Sequence, residues 1–593
     1  MSLLTSLARA YDRLPDAPPY GFSTQKIGFV ISLSDDGSFK VIDLRGDDKK
    51  RLPRMITVPQ AVKRTVGISP NFLWDKTAYV LGITASKKKE DENQTNEGRI
   101  ERTELEHQKF KDRHREWLAG TEDAGLLAFL HFLETWAPDQ ILPGMTDDLR
   151  DQNAIFVYEP DRIARIWLHD RPASREIWRK KAVEDAAGAQ MCLVNGELAP
   201  IARLHPSIKG VWGAQSSGAA LVSFNLDAFT SYGHEQGDNA PVSEAAAFAY
   251  TTALNRFLTK DSGHRIQIGD TSTVFWADAS KKVAEEAEGL FFAMFGGGDD
   301  QAEDRAATKA IGFKLEMIRQ GQPMTQVDPQ LANGVRFNVL GLAPNAARLS
   351  VRFQWEDDFS QLAANYQRHL SNMALEPPPR DGFPPLWRYL TELAVLGKRE
   401  NVPPNLAGDW MRSILTGQRY PLTLLSTTLM RLRGDGDVNA LRVGILKSVL
   451  IRNLKKEVPV SLDPTSQNKG YVLGRLFAIY EEIQRAALGG NVNATIKDKF
   501  YGAASATPQK VFAALDRGSA NHFAKLRKQK PGWAINLEKL LTSVTDLMNP
   551  GADPIPTALS TAEQAMFGIG YYHQRSEAFR KRDTQTETVE IAE

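Results

Sequence analysis

The chain has 593 residues, 42% hydrophobic and 24% charged, enough for about three or four domains with sizeable cores and unlike a disordered tail. Its 73 Lys/Arg stand against 72 Asp/Glu, which excludes a global basic pull toward nucleic acid; any such affinity must come from where the charges sit. The single cysteine, Cys192, excludes an intramolecular disulfide framework and a cysteine-rich zinc site, and it suits a reducing compartment.

The segment Met1 to Leu7 lacks the basic region and apolar core of a signal peptide. No run of about 18 apolar residues offers a membrane span. The expectation is a soluble, cytoplasmic protein with no membrane association.

In chain order, the first predicted element is a hairpin. Ile27, Phe29, Ile31 and Leu33 alternate with smaller or more polar residues, and a second run follows through Phe39, Val41, Ile42 and Leu44. Between them Asp36-Gly37 supplies the positive φ of a tight turn. Residues 86–116 open with Lys87-Lys88-Lys89 and become a polar helix around His107 to Trp117. A solvated loop and helix face is the default expectation there; a lysine loop touching phosphates is the sharper one.

Short strands are predicted at Ala220 to Phe224 and Thr273 to Trp276, and Pro241-Val242-Ser243-Glu244 leads into an alanine-rich helix through Leu254. Gly296 to Asp300 reads as a flexible insertion. Strand character returns at Val335 to Leu340 and Leu349 to Phe353. Five prolines in 376–385 mark a linker. It separates a mixed α/β region (1–375) from a helical one (386–593), so the expected class is α+β.

Within the helical region Leu473, Leu476, Phe477, Tyr480 and Ile483 recur at helical spacing until Gly489-Gly490. Thr507-Pro508 reads as cap and first helical position. Ile535, Leu537, Leu540, Leu541 and Val544 mark a third helix, and Ser560-Thr561-Ala562-Glu563 is a capping box opening the last. Four such helices would pack as a bundle. From Lys447 to Lys530 fifteen Lys/Arg face six Asp/Glu, a net of +9. A bundle with one basic side suits a nucleic-acid strand lying along it, whereas any one cluster alone is ordinarily a solvated face.

A search for catalytic chemistry finds no phosphate loop, dinucleotide fingerprint or His-Glu-x-x-His helix. His107 and His114 lie seven apart and read as surface histidines. His169-Asp170 is an isolated pair, and Asp435-Gly436-Asp437 beside Arg431 and Arg433 reads as a turn with ion pairs. Ala214-Gln215-Ser216-Ser217-Gly218 resembles a nucleophile elbow. The apparent strand after it is the wrong context, because an elbow runs from strand to helix. A serine hydrolase using Ser216 is therefore the rival reading, behind a polar binding loop.

Two loops carry binding chemistry. Ser69-Pro70-Asn71-Phe72-Leu73-Trp74-Asp75-Lys76 combines an amide suited to adenine, a lysine suited to guanine or phosphate, and two aromatics able to wedge or stack. The plain alternative is that Phe72 and Trp74 plug a core and Asn71 caps a turn. His205 to Gly210 and Gln215 to Ser217 form a second polar loop, where glycines allow close backbone approach.

Several of these stretches together resemble one family. They are Pro70 to Lys76, Gly210 to Gly218, Ser231-Tyr232-Gly233 with Asn239 to Ser243, Leu340 to Arg348, Asn493 to Asp498, Ser505 to Pro508 and Gly570 to Arg575. The family is the large subunit of the type I-C CRISPR surveillance complex (Cascade), and the resemblance covers nearly the whole chain in order. The insertion near Gly296 and the acidic tail after Arg582 have no place in it.

The resemblance implies a non-catalytic subunit of a crRNA-guided complex, beside its backbone and crRNA-end-binding subunits. Such a subunit reads the protospacer-adjacent motif in double-stranded DNA, helps open the duplex and steadies the displaced strand, while guide pairing reads the sequence. A separate helicase-nuclease is recruited to cut. The resemblance also implies a small subunit made from an internal start in the same gene, equivalent to a bundle over 471–593. No methionine lies between Met430 and Met548, so that start would need a codon such as the one for Val472.

Asn71 and Lys76 are the expected motif readers, Phe72 or Trp74 the wedge, with Gln215, Ser216 and Ser217 lining the same site. Lys87, Lys88, Lys209, Lys455, Lys456, Lys525, Arg527 and Lys528 are the expected phosphate contacts. No catalytic residue, metal or cofactor is expected. Besides the hydrolase, a scaffold without direct DNA contact is the remaining alternative.

Overall fold

A computed structural model describes the chain except residues 1, 16, 47–50, 63, 65–66, 85–95, 141, 185–188, 261, 297–308, 404, 490–493 and 591–593. Its contacts divide it into two compact units, Met1–Pro206 with Ser223–Ala253, and Ser207–Val222 with Leu254–Glu593. Strands and helices mix in the front part and helices alone follow residue 386, so the class is α+β as expected.

The first unit holds strands β1 (Phe22–Ile27), β2 (Phe29–Leu33), β3 (Phe39–Asp43), β4 (Arg54–Pro59), β5 (Trp74–Lys76), β6 (Asn153–Tyr158), β7 (Ala189–Met191) and β8 (Leu198–Pro200). Its main sheet has the order β3-β2-β6-β5, with β2 parallel to β6 and the other pairs antiparallel. The β2–β3 hairpin forms as read, Leu33 opposite Phe39, and Gly37 takes φ 79° in its turn. Its alternation does not separate core from water, however. Phe29, Ile31 and Leu33 enter one core, roofed by the helices Asn96–Trp117 and Ala124–Thr135. Ile27 and Val30 enter a second with Val58, Ile155 and Val157. A strand packed on both faces buries every residue, as β2 does.

In the second unit β9 (Arg265–Ile268), β10 (Thr271–Asp278), β11 (Arg336–Asn345) and β12 (Arg348–Asp358) form an antiparallel sheet of order β12-β11-β10-β9. The predicted strand over 220–224 is corrected. Ala219 and Ala220 make only isolated bridges, to Ile208 and Arg348, and bends follow at 221–222 in place of a ladder.

The boundary expected at 376–385 is also not where the contacts divide. One core runs from Ile266 to Tyr571 and includes Met373, Leu375 and Leu386 on either side of the prolines. Glu376 N donates to Val460 O at 2.9 Å. The helix Phe359–Met373 has already ended at Ala374 when Pro377 follows; the prolines keep the chain from resuming a helix, but nothing in their chemistry ends a core.

The bundle helices are Lys469–Leu488, Ile496–Ala506, Gln509–Gln529, Pro531–Thr545 and Thr561–Glu590. Gly489 stops the first at φ 76°. The Ser560–Glu563 box opens the last, with Ser560 N donating to Glu563 at 2.8 Å. Thr507 is corrected as a cap, because its hydroxyl donates to Ala503 O at 3.2 Å and so closes the helix before. Ile535 lies on the outer face of its helix, not in the core. The first and last helices cross at glycines. A Cβ added at Gly474 would sit 2.1 Å from Phe567 O, and one at Gly570 2.2 Å from Tyr471 O. The expected insertion after Gly296 falls on residues outside those described.

Candidate nucleic-acid interface

The loop before β5 folds inward. Asn71 is 4% exposed, Phe72 0% and Trp74 3%. Asp75 organises it, accepting from the Asn71 and Lys76 amides at 2.9 Å each and pairing with Arg64. Burial pushes the Asp75 carboxyl up, against the pull of Arg64 and those amides. Asn71 Oδ1 accepts the Val62 amide at 2.9 Å, so this carboxamide holds its own loop. Leu73 adopts φ 57° and donates its N–H to His114 Nε2 at 2.9 Å.

Phe72 stacks on Trp178 at 5.3 Å between ring centroids, while Trp74 Nε1 donates to Pro59 O at 2.8 Å. The wedge expectation for Phe72 and Trp74 is thereby corrected. In this fold both are core residues, because their large apolar areas are better removed from water. Lys76 alone of the loop's four expected readers is exposed.

His107 and His114 are corrected from surface to core. Their spacing of seven puts both on the inner face of the helix Asn96–Trp117, and each is buried. His107 Nδ1 meets Tyr79 O at 2.8 Å. With Nε2 accepting from Leu73, His114 Nδ1 must carry the proton and donate to Phe110 O at 2.8 Å. Burial lowers the His114 pKa to about 3, which keeps it neutral, as that acceptor role requires. His169 is likewise buried, bonded to Thr57 O at 2.9 Å. Asp435 pairs with Arg431 and with Arg442 at 2.7 Å each, the ion-paired turn expected there, although the second partner is Arg442 and not Arg433.

The loop of the second unit behaves in the opposite way. Ile208 and Ala219 exchange backbone bonds of 2.9 Å at its base. Trp212 N donates to Ser272 Oγ on β10 at 2.9 Å, and Lys209 N to Asn255 Oδ1 at 2.7 Å. Gly218, at φ 94°, lies so near Ile208 that a Cβ would come within 2.9 Å of its carbonyl oxygen. On this fixed frame Lys209, Gln215, Ser216 and Ser217 face solvent, and so does Trp212, 65% exposed. Trp212 was absent from the expected site, although it stands in the same motif. Ser216 is followed by a turn and two bridges, not by a helix. This loop and the Asn71 loop belong to different units.

The third surface is the helix Gln509–Gln529. It buries Val511, Phe512, Leu515, Ser519, Phe523 and Leu526. Opposite them, at successive three- and four-residue steps, stand Lys510, Ala514, Arg517, Asn521, Lys525 and Lys528, all exposed. Four cations thus line about 27 Å of helix, with only small or neutral residues between them. The helix's one acid, Asp516, accepts from Tyr480 OH at 3.2 Å. Arg527 faces elsewhere and pairs with Glu538 at 2.5 Å. Lys510 and Arg517 lie outside the dense charge runs of the chain, so only the spacing around the helix reveals them. Lys455 and Lys456 are exposed just after the helix Ala440–Leu454, Lys455 at φ 54°. Lys87 and Lys88 lie outside the described residues.

Among the described residues no group of three or more His, Cys, Asp or Glu is placed to hold a metal ion, and no helix is long and apolar enough to cross a membrane. Residues 7–579 match the family described as CRISPR-associated protein (Cas_Csd1). No curated protein matches the chain. The match spans nearly the whole sequence and stops before the acidic tail; the chain belongs to this CRISPR-associated family, in agreement with its resemblance to the type I-C large subunit.

Proposed function

We propose that this member of the Cas_Csd1 family is a non-catalytic, nucleic-acid-binding subunit of a crRNA-guided complex, reading the motif beside a DNA target and holding the strand that is displaced. The observation that carries this reading is the acid-free cationic face of the helix Gln509–Gln529. A globally neutral protein gains nothing in stability from four like charges in a row, whereas a phosphate backbone laid along them releases counterions at each contact. The small side chains between the cations let that backbone approach closely. Lys455 and Lys456 add charge in the same unit.

Base reading falls to exposed groups. Gln215, Ser216 and Ser217 offer donors and acceptors from a braced loop and Trp212 offers a stacking face; in the first unit, Lys76 is separately exposed to meet a base or a phosphate. Asn71 shapes the loop that presents Lys76. Asn71→Ala leaves the Val62 amide without its acceptor. It should cost about 1–3 kcal/mol of stability and weaken binding to motif-bearing and random DNA alike. Gln215→Ala should instead weaken only motif-bearing DNA; equal losses on both would remove it as a reader.

Lys525→Ala with Lys528→Ala should weaken binding to any sequence. If each contacts one phosphate of a single strand, the slope of log K against log salt should flatten by about 1.4. The deciding experiment is DNA binding by the guide-loaded complex, with and without this chain, on targets differing only in the flanking motif. Discrimination that appears only with the chain supports the reading. Discrimination that survives without it makes the chain a scaffold.

A further inference from the structure

The finger running from Leu226 to Gln236 in the first unit has no part in that reading. At its tip Ser231 and His234 close a two-residue hairpin, Ser231 N donating to His234 O at 3.4 Å and His234 N to Ser231 O at 2.9 Å. Both central residues have positive φ, 51° at Tyr232 and 81° at Gly233. Such a turn selects asparagine, aspartate or glycine at its first position. Tyrosine there is strained, and it gains nothing in return from packing, for Tyr232 is 100% exposed. Strain kept at an exposed aromatic points to a role outside the isolated chain.

The base of the finger is stiff. Asn239 Nδ2 donates to His234 O at 3.1 Å and to Gln236 O at 3.2 Å. Arg203 Nε donates to Gln236 Oε1. Gly237 lies so close to Ala202 that an added Cβ would be 2.1 Å from its carbonyl oxygen. A rigid aromatic held away from the surface loses little entropy on insertion, which is how interface anchors work.

Charge selects the kind of partner. Asp227, Glu235 and Asp238, all exposed on or beside the finger, outnumber Arg203 at its base, so a nucleic-acid backbone would be repelled there. A protein pocket rimmed by Lys or Arg complements both the ring and the acids, and the exposed Leu226 adds apolar area at the finger's start. We propose that Tyr232 is an anchor that inserts into an apolar, basic-rimmed pocket on a neighbouring protein subunit of the CRISPR-associated complex. This rests on the proposed place of the chain in such a complex and not on its reading of DNA.

The test is incorporation of the chain into the complex assembled from the other subunits and crRNA, titrated and read by native mass spectrometry. Tyr232→Asn removes the ring and suits the turn, so its Tm should stay level or rise. Incorporation should nevertheless weaken at least tenfold, and Tyr232→Gly should behave alike. Asp227→Asn with Glu235→Gln should weaken incorporation and reduce its dependence on salt. Normal incorporation of Tyr232→Asn overturns the proposal. So does a variant that incorporates normally but binds crRNA or DNA less well, since the occupant would then be a base. Motif discrimination by the complex carrying the wild-type chain decides the DNA reading separately.

Discussion

Lowering the pH from 7 to 5 is expected to cost each of the protein's two compact units about 4 kcal/mol of stability, well before its carboxylates are protonated. Among the described residues six histidines are buried with lowered pKa values, His107 and His205 among them, and the largest shifts bring the pKa to about 3 at His114, about 4 at His169, about 3 at His369 and about 4 at His573. Burial is the main cause at each. At His573 the nearby Lys447 ammonium adds to it, and at His369 Arg452 does.

An unfolded histidine titrates near 6.5. Below that pH the unfolded chain therefore binds protons that the folded chain refuses, and stability falls as pH falls. The stability is fully present above about pH 6.5 and is lost on the way down to the folded values. At pH 5 each of the four most shifted sites costs about 2 kcal/mol, against roughly 5–15 kcal/mol for a typical domain. His114 and His169 lie in one unit, His369 and His573 in the other, so both units should weaken together. Calorimetry from pH 8 to pH 5 checks this, and a flat Tm over that range would show that the imidazoles are not held neutral.

Gly474→Val should be the most damaging single substitution in the bundle. At Gly474 the helix Lys469–Leu488 meets Thr561–Glu590 with backbone against backbone. A Cβ there would lie 2.1 Å from Phe567 O and 2.9 Å from Tyr571 N. Neither atom is the end of a flexible side chain, so the helices must separate. They are held at that distance on both sides of the site, because Gly470 would meet Glu563 O at 2.2 Å and Gly570 would meet Tyr471 O at 2.2 Å.

Overpacking of this kind costs about 3 kcal/mol. Separation would also disturb the buried bond between Tyr471 OH and His573 Nδ1, 2.9 Å long. Gly518→Ala is the control. It also sits within a helix, but an added Cβ meets nothing within 4 Å, so it should stabilise by about 0.5–1 kcal/mol. Denaturant unfolding of both variants checks the pair; equal effects would mean that helix propensity alone matters at these glycines.

Local features were legible because their causes are local. Asp36-Gly37 made the hairpin turn, Gly489 stopped a helix, and Ser560 with Glu563 capped one, each through bonds within a few residues. Long motifs were legible too, since family membership is carried by residue order from Pro70 to Arg575. The cationic face of Gln509–Gln529 was present in the spacing, although only its dense end, Lys525 to Lys530, drew attention.

What the sequence by itself determined was therefore the class, most of the helices and strands, the family, and the residue types able to meet phosphate. Tertiary structure alone decided which of them face water. Phe72, Trp74, His107 and His114 have the chemistry of a binding site, but burial is set by elements distant in the chain. Trp178 and Pro59 cover the aromatics, while Tyr79 and Leu73 receive the imidazoles. The same logic runs in reverse at Trp212 and Tyr232, two large aromatics that composition would assign to a core. Backbone frames hold them outside it: the Ile208–Ala219 bridge with the Trp212 N–Ser272 bond in one case, the Ser231–His234 hairpin in the other. Spacing along a chain encodes which face of an element a residue takes; only packing decides whether that face is covered.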